Sequence, residues 1–426
     1  MGSPLSMSAR SGGKLAQASS GPQDAGRGGD VWEAQTEGLA GSPTGVAMAK
    51  RLTSLDAFRG LAILGMLLVN NTALDTATPA QLTHASWNQG VHLADLVFPW
   101  FLLIVGVAIP YSYASQRARG VTRWHSSLKA MTRAVTLVLL GWLVDSSIAK
   151  RPVIGLGVLQ LIGLAYLVGA LLYQTPQYVR VPMAGALLVG HWAALRFIPI
   201  PGSGAGAFAE HANLVQYLND AYLMPLHLNG MISVAPTAAM VLIGSAVGDW
   251  LRSERSSITR FAYLLIGGVV LAVLGWLWSL DLPFNKPVWT ASYILYTAGL
   301  GCMALALIYL LADVSGFPQW CYPLVVLGSN AIFAYVAPIL VKVYNPAGLD
   351  GADSGWRFAP HAGGVSALPR APLGPDRRGV ALHPLVYRVL VVGASLDAKA
   401  PHSIAGIMIL SLRLSGRRVS MRWWWQ

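Results

Sequence analysis

The chain has 426 residues, 54% of them hydrophobic and only 11% charged, against about 25% charged in average proteins. Too few charges remain for the polar coat of a soluble protein this size, and disorder needs the opposite balance, so a polytopic membrane protein is left. The formal net charge of +12 does not read as a nucleic-acid surface, because the basic residues sit in short loops between apolar runs and in the two tails.

The mean hydropathy of +0.52 agrees, and 15 Trp and 15 Tyr suit two interfacial belts. Residues 1–47 are rich in Gly, Ser, Ala and Gln without apolar period, which reads as a disordered or non-native extension. Met48, followed by Ala-Lys-Arg and the first apolar run, reads as the natural start.

From there apolar stretches recur at about 20 residues each, the length of a membrane span. They lie near 55–72, 93–113, 130–148, 154–174, 181–198, 231–250, 260–280, 290–312 and 321–342. The expected class is all-α: an integral membrane helical bundle of about nine to ten transmembrane helices over 48–345. Lys and Arg set the orientation. Lys50, Arg51 and Arg59 flank the first span; Arg117, Arg119, Arg123, Lys129 and Arg133 follow the second; Arg252, Arg255 and Arg260 follow the sixth. The connections 72–92 and 199–230 carry no Lys or Arg. The N-terminus is therefore expected in the cytoplasm and both neutral loops on the exterior face, with Lys150–Arg151 against the trend. Cys302 and Cys321 have no metal-type spacing and read as small buried hydrophobes. The stretch 346–426 is Gly-, Pro- and Arg-rich at first, holds two weak apolar fragments, and ends in Arg-Trp-Trp-Trp-Gln; its composition resembles out-of-frame reading of a GC-rich gene.

Polar residues within apolar spans are costly and mark pairing or function. Asp56 and Arg59, three apart, share a helix face, although capping and snorkelling account for them as well. Asn70 ends the first span. In the neutral loop come His84 and Trp87, followed by Asp95 in the first turn of span two, where a carboxylate opposes the helix dipole. Pro99 frees backbone groups at that entrance. His84 is the side chain best matched to proton transfer near neutral pH, and it can also accept an acyl group. Asn285 and Lys286 enter span eight and have the chemistry to hold a sugar or an anion; Asn330 is expected inside span nine, where its amide needs a partner.

Together and in this order, RLTSLDAFRGLAILGMLLVNN (51–71) and THASWNQGVHLADLVFPWFLLIVGVAI (83–109) resemble the heparan-α-glucosaminide N-acetyltransferase-like membrane acyltransferases. GVLQ (157–160), NKPVWTASY (285–293) and GSNAIFAY (328–335) add support. The resemblance implies transfer of an acetyl group from cytosolic acetyl-CoA, as co-substrate, to an amino sugar or glycan on the exterior side. It implies that His84 is the active histidine, as general base or acetyl carrier, with Asn70 beside it. Asp56 and Arg59 are expected near the nucleotide end of acetyl-CoA, with Trp87, Asp95, Asn285, Lys286 and Asn330 as further substrate- or cofactor-binding positions. The partners implied are the acceptor, the bilayer and a homodimer, with no metal and no nucleic acid. The chain departs from the family in Leu161, where an Arg is usual, and in His227-Leu228-Asn229-Gly230, where many members read Asp-Pro-Glu-Gly. The alternative from another class is a sugar transporter or permease component without acyl transfer.

Overall fold

The computed structural model describes residues 52–71 and 78–344, with two short antiparallel strand pairs beyond them, at 357–361 with 364–368 and at 413–414 with 417–418. The readings made of 1–47 and of nearly all of 346–426 lie outside the described residues.

All nine apolar stretches are helical. In chain order they form α1 Thr53–Asn71, α2 Leu93–Ala118, α3 Arg123–Ala149, α4 Val158–Leu172 and α5 Gln177–Phe197. Then come a short α6 Leu214–Leu218, α7 Val234–Leu251, α8 Ser257–Trp278, α9 Ala291–Tyr309, α10 Tyr322–Ser329 and α11 Ala331–Tyr344. Among the described residues, six helices are long and apolar enough to cross a membrane, or seven if α10 and α11 count as one span bent by 68°. The protein is therefore a helical, polytopic membrane protein. Two expected spans fall short of that test for separate reasons. At 15 residues α4 reaches only about 22 Å, against about 30 Å of hydrocarbon, and α5 carries Arg180, His191 and Arg196.

Membrane helices gain little from the hydrophobic effect when they associate, so close backbone approach must hold them together. The tightest approach joins α1 to α10. A Cβ on Gly60 would fall on the Leu324 carbonyl oxygen, and one on Gly328 would fall on that of Asp56. The pairs α2–α7 and α8–α9 pack in the same manner, through Gly106 with Gly244 and through Gly268 with Gly299. Outward faces stay apolar, with Val135 and Leu139 on α3 and Ile266 and Val270 on α8 exposed, as lipid contact requires.

Contacts sort the helix ends into two groups. At one end the Asp313 carboxylate accepts from the Thr53 and Ser54 amides, 3.0 Å each, and so caps α1 from the turn that follows α9. There too Tyr173, after α4, bonds Asp249 of α7 at 2.9 Å, and Arg252 lies over the Tyr111 ring. Because the basic loops gather here, we term it the basic end. At the opposite end lie the start of α2, the turn before α9 and the close of α3, where Lys150 donates to Val343 O at 2.8 Å and lies over the Tyr344 ring. That contact occupies the lysine that runs against the charge pattern. Between α5 and α7 this end carries two small hairpins, β1 Pro199–Ile200 with β2 Gly204–Ala205 and β3 Phe208–Ala209 with β4 Ala212–Asn213.

Gly60→Ala is expected to destabilise the bundle by about 1–3 kcal/mol through overpacking. Gly185→Ala, at a position with open space around it, is expected to cause no loss. Thermal unfolding in detergent checks the pair, and equal midpoints would contradict the backbone-contact account.

Candidate active site

The site forms where two loops meet the first turn of α2. Asp95 occupies the third helical position, and its Oδ2 accepts from the His92 amide at 3.1 Å, half of a capping box. Oδ2 also accepts from the Ala85 amide at 3.0 Å, while Oδ1 lies 2.8 Å from His84 Nδ1. Asp95 is only 3% exposed, so its charge is neutralised by these donors and by Lys286, whose Nζ lies 3.3 Å from Oδ1. The Asp95 main chain is held as well. Pro99 four residues on has no N–H to offer the Asp95 carbonyl, and the buried Tyr293 hydroxyl of α9 donates there instead.

His84 is the exposed member, with 56% of its side chain accessible. In the tautomer that donates Nδ1–H to Asp95, Nε2 keeps its lone pair. The same imidazole lies against Lys286, whose Nζ is 3.1 Å from Nδ1 and 3.5 Å from Nε2. Burial pushes the Lys286 ammonium below the ordinary lysine range, and Asp95 opposes that shift.

The turn carrying Lys286 is tightly bonded. Asn285 Oδ1 accepts from the Val288 amide at 3.0 Å, its own amide donates to Thr290 Oγ1 at 3.1 Å, and its Nδ2 donates to Asn88 Oδ1 at 3.1 Å. Asn285 is buried and fully engaged, so here it ties the lysine turn to the His84 loop. Trp289 is held at φ 57°, strained for so bulky a residue, between Phe98 and Tyr293. His191, buried on α5, meets Val288 O from behind at 3.0 Å. Trp87 steadies the His84 loop, donating from Nε1 to Phe208 O at 3.1 Å.

The other expected residues are elsewhere. Asn70 is exposed in the last turn of α1, with no bond to His84 among the described residues. Asp56 and Arg59 pair at 3.2 Å at the basic end, with Arg59 Nη1 3.4 Å from Gly328 O. Asn330 stands at the bend between α10 and α11, outside any helix interior, its Nδ2 donating to Val326 O at 3.2 Å. Tyr293 and Asn88 were not singled out by sequence, and His191 had no better claim from spacing than the other histidines; the clue to Tyr293 is Pro99, which leaves a buried carbonyl needing a donor. Among the described residues no group of three or more His, Cys, Asp or Glu is placed to hold a metal ion.

Asp95→Asn is expected to speed amide exchange at Ala85 and His92 by about tenfold or more, since bonds to a charged acceptor contribute about 1.5–3 kcal/mol. With its opposing charge removed, Lys286 should titrate at still lower pH, which the pH dependence of amine labelling measures. Unchanged exchange and labelling would contradict the anchoring role.

The catalytic-family profile described as "Heparan-alpha-glucosaminide N-acetyltransferase, catalytic" matches residues 51–284. The human heparan-alpha-glucosaminide N-acetyltransferase is 26% identical over 372 residues, covering 70% of this chain and 54% of the human protein. The mouse protein of the same name is 26% identical over 370 residues, covering 70% of this chain and 55% of its own length. The chain thus spans about half the length of the curated relatives it matches. On the profile match, which takes in α1, the His84 loop, Asp95 and the hairpins, the chain belongs to the heparan-alpha-glucosaminide N-acetyltransferase catalytic family.

Proposed function

We propose that the protein is a transmembrane acetyltransferase that takes the acetyl group of cytosolic acetyl-CoA and gives it to an amino sugar on the exterior side. The observation that carries this reading is the His84–Asp95–Lys286 cluster, found within a chain of this family. The names of the relatives supply the acceptor class. In this reading nine spans cross the bilayer, the basic end faces the cytoplasm with the N-terminus, and the His84 end faces outward.

Acyl transfer to an amine needs a base for the ammonium proton and a cation for the oxygen of the tetrahedral intermediate. Asp95 fixes the imidazole so that His84 Nε2 takes the proton as nitrogen attacks the thioester carbonyl. Alternatively, His84 first accepts the acetyl group and passes it on. Lys286, beside the imidazole, stabilises the oxyanion, and Asn70 assists from the end of α1. The departing thiolate takes up a proton as the thioester bond breaks. Trp87 and Asn285 position the two loops. Asp56 and Arg59, at the basic end, meet the nucleotide portion of acetyl-CoA, and Asn330 borders its path at the bend.

With labelled acetyl-CoA and glucosamine-type acceptors, His84→Ala is expected to lower kcat by about 10²–10⁴-fold, and Lys286→Met by about 10²-fold or more. Unchanged turnover in His84→Ala would remove the histidine from the mechanism. Labelled sugar crossing liposomes unmodified would favour a transporter instead.

A further inference from the structure

In the reaction above Lys286 serves as a cation, yet it is also an amine held against His84. Its Nζ lies 3.1 Å from His84 Nδ1 and 3.5 Å from Nε2, within reach of both ring nitrogens. Among the described residues, the polar contacts of Nζ are that imidazole and Asp95 Oδ1 at 3.3 Å. The Lys286 side chain is 25% accessible against 56% for His84, so an incoming substrate meets the imidazole first.

The lysine and the histidine stand on one bonded scaffold. Asn285 binds Thr290 Oγ1 and the Val288 amide within the lysine turn, and it donates to Asn88 in the His84 loop. Groups fixed in this way react with effective concentrations of up to about 10⁵–10⁸ M when the reacting atoms lie about 3–3.5 Å apart and aligned. An acetyl group on His84 Nε2 would carry its carbonyl carbon one bond beyond that nitrogen, within reach of Nζ. Burial holds the Lys286 ammonium below the ordinary lysine range, which leaves more of it as the nucleophilic free amine near neutral pH.

We infer that Lys286 is an acetylation site of the protein itself, modified by transfer from His84 when no acceptor sugar is bound. The inference rests on the acetyl-carrier form of the acetyltransferase reading. His84 Nε2 attacks the thioester carbonyl, the carbon–sulfur bond breaks, and the thiolate leaves and takes up a proton. The neutral Lys286 amine then attacks the acetyl carbon. The bond from that carbon to Nε2 breaks, and its electron pair returns to the imidazole. The proton lost by the new amide nitrogen passes to Nε2 and from the exposed ring to water. An amide is too stable for the imidazole to reopen. Acetylation also removes the positive charge, so Asp95 loses its counter-ion and the oxyanion its cation. Donor without acceptor therefore shuts the enzyme down, and an acceptor protects it by taking the acetyl group first.

Peptide mass spectrometry of the full chain in nanodiscs tests this with acetyl-CoA alone, with acetyl-CoA plus glucosamine, and with p-nitrophenyl acetate, a donor that needs no coenzyme A site. Either donor alone is expected to acetylate Lys286 about 10²-fold or more faster than Lys150, which lies at the same end of the bundle. Glucosamine acetylation should fall in step with that labelling, and excess glucosamine should slow it. His84→Ala, and His84→Gln, which keeps a donor for Asp95 but carries no acetyl group, should lower Lys286 labelling about 10²-fold or more and leave Lys150 unchanged. Lys286 left bare by both donors, labelled no faster than Lys150, or labelled equally in the His84 variants overturns the proposal. Labelling through His84 by p-nitrophenyl acetate, while acetyl-CoA gives neither label nor N-acetylated sugar, keeps the site and refutes the acetyl-CoA reading. N-acetylated sugar formed while acetyl-CoA alone leaves Lys286 bare refutes the site alone.

Discussion

A single buried carboxylate organises the His84 end of the bundle. Asp95 accepts from two backbone amides of the 83–92 loop, orients the imidazole and faces the Lys286 ammonium. Its carbonyl, released by Pro99, ties α2 to Tyr293 of α9. A charge this deeply buried is tolerated only with such a full set of donors, so the loop, the helix start and the lysine turn must assemble together. Removing the carboxylate would leave Lys286 partly buried without its counter-ion and His84 without its orienting acceptor.

The arrangement divides work between rigid and exposed parts. Asn285, Asn88, Trp289 and His191 spend their polar atoms or ring faces on holding the lysine turn. His84 alone projects a largely accessible side chain from the cluster. A reacting group must reach substrate, yet its direction must be set beforehand if orientation is to lower the barrier. The opposite end is arranged differently, with Asp313 capping α1 and Arg180 paired with Asp249 inside the bundle.

Much of the helical plan was legible because membrane length and apolar content are local properties. Every expected stretch became helix, and Asp95 could be assigned to a first helical turn from the residues around it. The break at Asn330 was hidden, since the residues on both sides of it are apolar and only packing of Gly328 against α1 shows where the helix turns. The contact between Lys286 and His84 was also hidden, because 202 residues separate them and no spacing rule reaches that far. The 199–230 connection looked like a neutral loop; its hairpins are only two residues per strand, too short for an alternating pattern to register.

In the proposed function, an acetyl group supplied at the basic end is delivered to an acceptor at the His84 end. Reconstitution into sealed vesicles of known orientation tests it most directly, with labelled acetyl-CoA on one face and a glucosamine acceptor on the other. The predicted result is N-acetylated product on the acceptor face when acetyl-CoA is offered at the basic end. Product that forms only when both substrates share one face would contradict the account.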